Sequence, residues 1–265
     1  MKRILLIFLI IAIAANTGCG LFPLPAPQQS PLAQSHTTAG DSPAPSRTPD
    51  QAALSPSPSA ATGSLFDVEG LTKEELLGAF RTVAGGSEYG GSGMSIRKWA
   101  APVRLAVHGE PTEDDLDAVR RAMGWLNGIK GYPGISLVTK DANADIWFVK
   151  LDNMKNVVDG YVVGNWGFFW TEFDSQSITK GTVAIASDVT SQTVRNHLIL
   201  EELIQSMGLM QDQYTAEDSI FYGNWTTVQQ PSEMDRVLAE MLYLPEVRNG
   251  MEMEEAIQIL RDAFR

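Results

Sequence analysis

The sequence predicts an α/β (α+β) domain: a small mixed, twisted sheet with one edge strand, backed by helices. A central buried helix and a helical C-terminal part complete it. Three observations predict this. From Val103 onward, apolar runs of strand length and one amphipathic helical run follow in the order β-α-β-β-β-β-α. The last helix of that order, around His197–Asp212, is apolar nearly all round, which marks a buried helix. Thr72 and Thr112 stand at the points where two helices begin, Thr72 with Glu75 three positions on as a capping box requires.

Lys2 and Arg3 open a positive segment, and Ile4–Ala15 is an apolar run too short to span a bilayer comfortably. Residues 1–18 therefore read as a secretory signal peptide. Asn16-Thr17-Gly18-Cys19 resembles a lipobox, with Asn16 departing from the usual leucine. Cys19 is then the lipidated residue, and two or more acyl chains hold a protein stably on a membrane. Leu21–Gly63 is rich in Pro, Ser, Ala, Thr and Gln and poor in large apolar side chains. It reads as a disordered spacer within residues 19–64, leaving 65–265 as the folded domain.

Thr72-Lys73-Glu74-Glu75 is a capping box for a helix running to about Val83. Ala84–Gly93 is a glycine-rich connection without the lysine of a phosphate loop. Val103–Val107 is a strand. Thr112 caps a helix from Glu113 to about Asn127, with Leu116, Val119, Met123 and Leu126 inward. Ile135–Thr139 and Ala144–Leu151 are strands. Tyr161–Phe173, aromatic and broken by glycine, is an irregular edge strand. Thr182–Ala186 is the last strand. A helix from Ser232 to Leu244 is ended by Pro245, and a short helix starts at Glu252.

The central helix carries the chemistry. At about 100° per residue, Ile199, Leu200, Leu203, Ile204, Met207 and Met210 form a broad apolar arc. His197, Glu201 and Gln205 fall on one polar seam with Glu202 beside it. Buried carboxylates cost several kcal/mol unless paired, protonated or metal-bound. Glu201-Glu202-Leu203-Ile204-Gln205-Ser206-Met207-Gly208-Leu209-Met210-Gln211 has the spacing of the metzincin motif H-E-x-x-H-x-x-G-x-x-H. Glu201, Gln205 and Gln211 stand at the histidine positions, and Glu202 stands at the general base. Asp218-Ser219-Ile220-Phe221-Tyr222 resembles the Met-turn, with Phe221 in place of methionine. Ser232 and Asp235 resemble the start of the matrixin C-terminal helix. Over Leu71–Arg265 the chain resembles an uncharacterised bacterial family with a zincin-like fold and a Glu-Glu-x-x-Gln-x-x-Gly-Leu motif. The resemblance implies an edge strand bordering a cleft and a metallopeptidase-like site without its histidines.

Composition limits the functions. Twenty Lys and Arg stand against 32 Asp and Glu, a net charge of −12 that disfavours nucleic acid. One cysteine excludes an intramolecular disulfide. Of three histidines, His36 lies in the spacer, so the domain cannot assemble a three-histidine zinc site. Glutamine is a weak zinc ligand. The expectation is a site with no metal and no cofactor. Glu201, Glu202, Gln205, Gln211 and Asp212 also leave open an all-oxygen site for a hard divalent cation. Two functions follow. One is a membrane-anchored extracytoplasmic lipoprotein that binds a peptide or an envelope protein. The other is a hydrolase with Glu202 as general base and an unusual metal. His197 and His108 read as structural, and Trp166 or Trp170 as a weaker carbohydrate platform.

Overall fold

The computed structural model describes Phe66 and residues 68–85, 95–174, 177–188 and 191–264. The signal peptide, Cys19 and the spacer lie outside the described residues, as does the glycine-rich connection from residue 86 onward.

Helix α1 (Lys73–Ala84) begins at its capping box. Thr72 Oγ1 accepts from the Glu75 backbone N–H, and the Glu75 carboxylate accepts from the Thr72 N–H at 2.8 Å. Leu76, Leu77, Phe80 and Val83 form its buried stripe. Helix α2 (Glu113–Gly128) repeats the device with Thr112 and Asp115. Its buried apolar side chains are Ala118, Val119, Ala122 and Leu126, whereas Leu116 and Met123 are half-buried. The two alanines face inward because α2 packs directly on another helix, where small residues allow close approach.

Among the described residues five strands form one sheet in the order β2-β1-β3-β5-β4. Strands β1 (Val103–Gly109), β2 (Ile135–Leu137), β3 (Ala144–Val149) and β5 (Ile178–Ala186) pair in parallel, and β4 (Gly167–Phe173) runs antiparallel to β5. Parallel neighbours need a crossover, and α2 provides it between β1 and β2. The expected boundaries shift in several places; β2 ends at Leu137 rather than Thr139, and β1 runs on to Gly109 rather than Val107. The edge strand starts at Gly167 rather than Tyr161, because Gly160 and Gly164 take positive φ and break the extended path. The last strand starts at Ile178 rather than Thr182, zipped to β4 from Phe173 back to Gly167. Leu151 opens a short 3₁₀ turn to Asn156 instead of ending β3, with its N–H held by Asp188 Oδ1 at 2.9 Å.

Strand β4 closes the sheet, yet Gly167–Thr171 are buried. Phe168 and Trp170 join Met154, Val158, Ala184 and Ala186 in a small core on one face. Phe169 faces the main core, on the side of helix α3 (Gln192–Gln205).

Ser191 caps α3, whose helical run stops at Gln205. Gly208 then turns the chain at φ +118°, and any β-carbon there would meet the Arg97 carbonyl at 2.2 Å. The last carbonyls of this region find partners from outside the helix. Trp99 Nε1 donates to Ser206 at 3.1 Å, and the Tyr243 hydroxyl donates to Met207 at 2.9 Å. Helices α4 (Glu233–Tyr243) and α5 (Met253–Ala263) pack on α1. No helix among the described residues is long and apolar enough to cross a membrane.

Candidate functional site

A cavity of about 430 Å³ opens beside the C-terminal half of α3. Helix α3 contributes His197, Leu198, Glu201, Glu202 and Gln205. A second wall is Gly164–Gly167, the approach to β4. A third is Tyr222–Thr226, and Asp212 completes the lining. Every acid of the polar seam thus faces one space, because residues four apart on a helix stack on one side.

His197 is buried, with its Nδ1 2.8 Å from the Val228 carbonyl. A carbonyl only accepts, so Nδ1 carries the proton. Nε2 faces Glu201 Oε2 at 3.4 Å. Burial pulls the imidazole below its usual range, against the opposing pull of the Val228 carbonyl. Burial, and then the nearby Asp212, push Glu201 up to about 8. Both groups are therefore driven toward their neutral forms.

Glu202 is only 5% exposed, and no donor among the described residues reaches its carboxyl. Burial pushes its pKa well up, followed by the charges of Glu201 and Asp212. The carboxyl lies flat on Gly167: a β-carbon there would sit 2.6 Å from Glu202 Oε1. Glycine at 167 is what lets an acid occupy this place. Gln205 Nε2 donates to Asp212 Oδ1 at 2.9 Å. Gln205 does not pair with Glu201, whose neighbour is His197 one turn back.

The remaining residues of the metzincin-like frame separate. Gln211 is half-buried outside the pocket lining, and its N–H is donated to the Val83 carbonyl. Asp212, one position on, takes the place at the cavity. Ser219 and Phe221 are fully buried behind it, and only Tyr222 of that segment reaches the wall. Ser219 Oγ donates to Asp235 Oδ1 at 2.6 Å, while the Ile220 and Ser232 N–H groups donate to Asp235 Oδ2 at 2.9 and 2.7 Å. Two motifs read separately in the sequence are thus clamped together by one carboxylate. His108 lies elsewhere, on β1, with Nε2 2.7 Å from Asp145 Oδ1 and its ring stacked on Trp147.

The lining contains a pattern that the sequence reading did not use. Gly-Asn-Trp occurs twice, at Gly164-Asn165-Trp166 and Gly223-Asn224-Trp225. Both copies line the cavity, and the two indoles meet edge to face at 5.5 Å. Trp225 is 66% exposed, unusual for so large an apolar side chain. Asn165 Nδ2 is buried without an acceptor, and Asn224 Nδ2 donates to the Tyr222 hydroxyl at 2.9 Å. The repeated tripeptide was the available signal.

The donors do not fit zinc. The three frame positions carry Glu, Gln and Gln. The single imidazole is turned by Val228 and faces Glu201, and the Gln205 amide N–H is committed to Asp212. Among the described residues no three His, Cys, Asp or Glu side chains converge on a common metal position. Burial pushes the Glu201 and Glu202 carboxyls toward their neutral forms, and two indoles stand among the lining.

A comparison with curated proteins gives no match. The profile of one family, described as a protein of unknown function (DUF2927), matches residues 73–262, a stretch holding all five helices but the last residue of α5, the whole sheet and every residue of the pocket. The chain belongs to the DUF2927 family.

Proposed function

We propose that this chain is a ligand-binding lipoprotein of the cell envelope, built on a metallopeptidase-like, zincin-like domain that has lost catalysis. The observation that carries the reading is the seam of α3. Positions spaced for two imidazoles hold Glu201 and Gln205, and each is engaged by a protein partner, His197 and Asp212. The Glu202 carboxyl keeps the general-base position but is pushed toward its protonated form. An antiparallel β4 ahead of β5, followed by a buried motif helix, is compatible with the zincin-like architecture. Anchoring rests on Lys2, Arg3, the apolar run and Cys19. The ligand enters at the mouth between the two Gly-Asn-Trp copies, since β4 itself is buried from Gly167 to Thr171.

The test is metal content and peptide cleavage in protein purified without chelator. The wild type should carry no stoichiometric zinc, whereas Glu201→His with Gln205→His should gain it, because the i, i+4 geometry is intact. Stoichiometric metal in the wild type, with cleavage lost in Glu202→Gln, would establish the second reading. That reading is a hydrolase with Glu202 as general base, favoured by the place of Glu202 on the cavity wall. For the anchor, fractionation should find the wild type with membranes and Cys19→Ala released. Equal membrane retention of both would refute lipidation at Cys19.

A further inference from the structure

We propose that the pocket binds a cationic group, the ammonium or guanidinium of a lysine or arginine side chain in a partner peptide. The inference rests on the reading that this cleft is a ligand site and names the chemistry it selects. Three carboxyl groups, those of Glu201, Glu202 and Asp212, line the cavity, and no lysine or arginine does. Glu202 is the telling member, only 5% exposed and with no donor to its carboxyl among the described residues. Its neighbours add negative charge rather than relieve it. An acid left so inside a folded domain is costly, and a cationic guest at the cavity relieves the Glu202 carboxyl.

The walls fit the same guest. Trp166, Trp225 and Tyr222 surround the opening. Aromatic faces attract cations through the ring quadrupole, most strongly for tryptophan. Trp225 stays largely in solvent while held against Trp166, so its face is available without rearrangement of the core. The aliphatic stem of lysine or arginine gives the indoles an apolar surface, and its charged end reaches toward Glu202. Asn165 lines the same wall, with its Nδ2 buried and unpartnered behind it. A volume of about 430 Å³ accommodates such a side chain with part of its backbone.

The experiment is calorimetric titration of the full chain with four blocked pentapeptides, acetyl-Gly-Gly-X-Gly-Gly-amide, where X is lysine, arginine, norleucine or citrulline. Calcium alone and an N-acetylglucosamine trimer are titrated alongside. The lysine and arginine peptides should bind, and their neutral counterparts should bind roughly tenfold or more weakly, about 1.4 kcal/mol or more. Glu202→Gln should remove most of that preference. Trp225→Ala should weaken the basic peptides by roughly three- to thirtyfold, with Trp225→Phe between the two. Because Trp225 is mostly exposed, its loss is not expected to unfold the domain, and thermal unfolding of each variant checks this. Equal binding of lysine and norleucine peptides would overturn the cation assignment while leaving a peptide cleft. Binding of the sugar alone, or of calcium alone, would overturn the assignment in favour of that guest. Binding of none of the probes would sink both the assignment and the ligand-site reading.

Discussion

The two ends of α3 handle buried acid in opposite ways. At its first turn, Asp115 from α2 is fully buried and fully served. Gln192 Nε2 donates to Oδ1 at 2.8 Å, Arg195 Nε donates to Oδ1 at 3.0 Å, and the Thr112 N–H donates to Oδ2 at 2.9 Å. Burial alone would raise this carboxyl, but those donors outweigh it and hold it below the usual range. Two turns on, Glu202 is almost as buried and has no donor among the described residues, and its pKa goes up instead. The difference teaches which polar cluster belongs to the fold. A carboxylate satisfied by its own chain locks two helices together. A carboxyl left unsatisfied on an open cavity does not stabilise the fold and is a candidate for function.

The comparison breaks most visibly at its structural end. Asp115→Ala leaves the Arg195 guanidinium, only 11% exposed in its side chain, without its counter-ion. Removing one partner of a buried pair costs about 3–5 kcal/mol, so urea unfolding should show a loss of that size. A loss below about 1 kcal/mol, the scale of an exposed pair, would mean that Arg195 simply turns to solvent.

A smaller effect is expected where Glu202 meets the sheet. Gly167→Ala drives a methyl group into the space of the Glu202 carboxyl and the Leu198 side chain. Overpacking of this kind costs about 1–3 kcal/mol, at the low end here because the carboxyl can swing into the cavity. Paired with Glu202→Ala, the same substitution should cost almost nothing. Additive losses in the double variant would show that the two residues do not touch.

A further effect concerns pH. Glu201 titrates near 4.5 when exposed and is pushed up to about 8 in the folded domain. Between these values the folded state keeps a proton that the unfolded chain has lost. Its contribution to stability therefore falls as pH rises from 4.5 through about 8. His197 works in the other direction, since its lowered pKa weakens the fold as pH drops below 6.5. Glu201→Gln should flatten the falling limb above pH 4.5 in thermal unfolding and leave the acid limb in place. An unchanged profile would place the Glu201 carboxyl in water.

What the sequence determined by itself was local. The capping residues Thr72, Thr112 and Ser232 start α1, α2 and α4, because a cap needs only a hydroxyl and an acid three residues on. The α/β order, the buried character of α3 and the shared seam of Glu201 and Gln205 follow from periodicity, which is also local. Strand ends were not legible, since pairing with a neighbour set where β4 and β5 begin. Nor was the composition of the pocket. His197 reads as a core histidine by sequence, but it lines the cavity because Val228, 31 residues away, fixes its ring. Gln205 takes Asp212 rather than Glu201, and Gln211 yields its place to Asp212, because the turn at Gly208 sets which side chain comes back toward the helix. Two Gly-Asn-Trp tripeptides 59 residues apart become one mouth only when the approach to β4 and the segment after Tyr222 are folded against α3. Hydrogen-bond partners and cavity walls are long-range choices, made by whichever groups the packed core brings together, and no spacing along the chain records them.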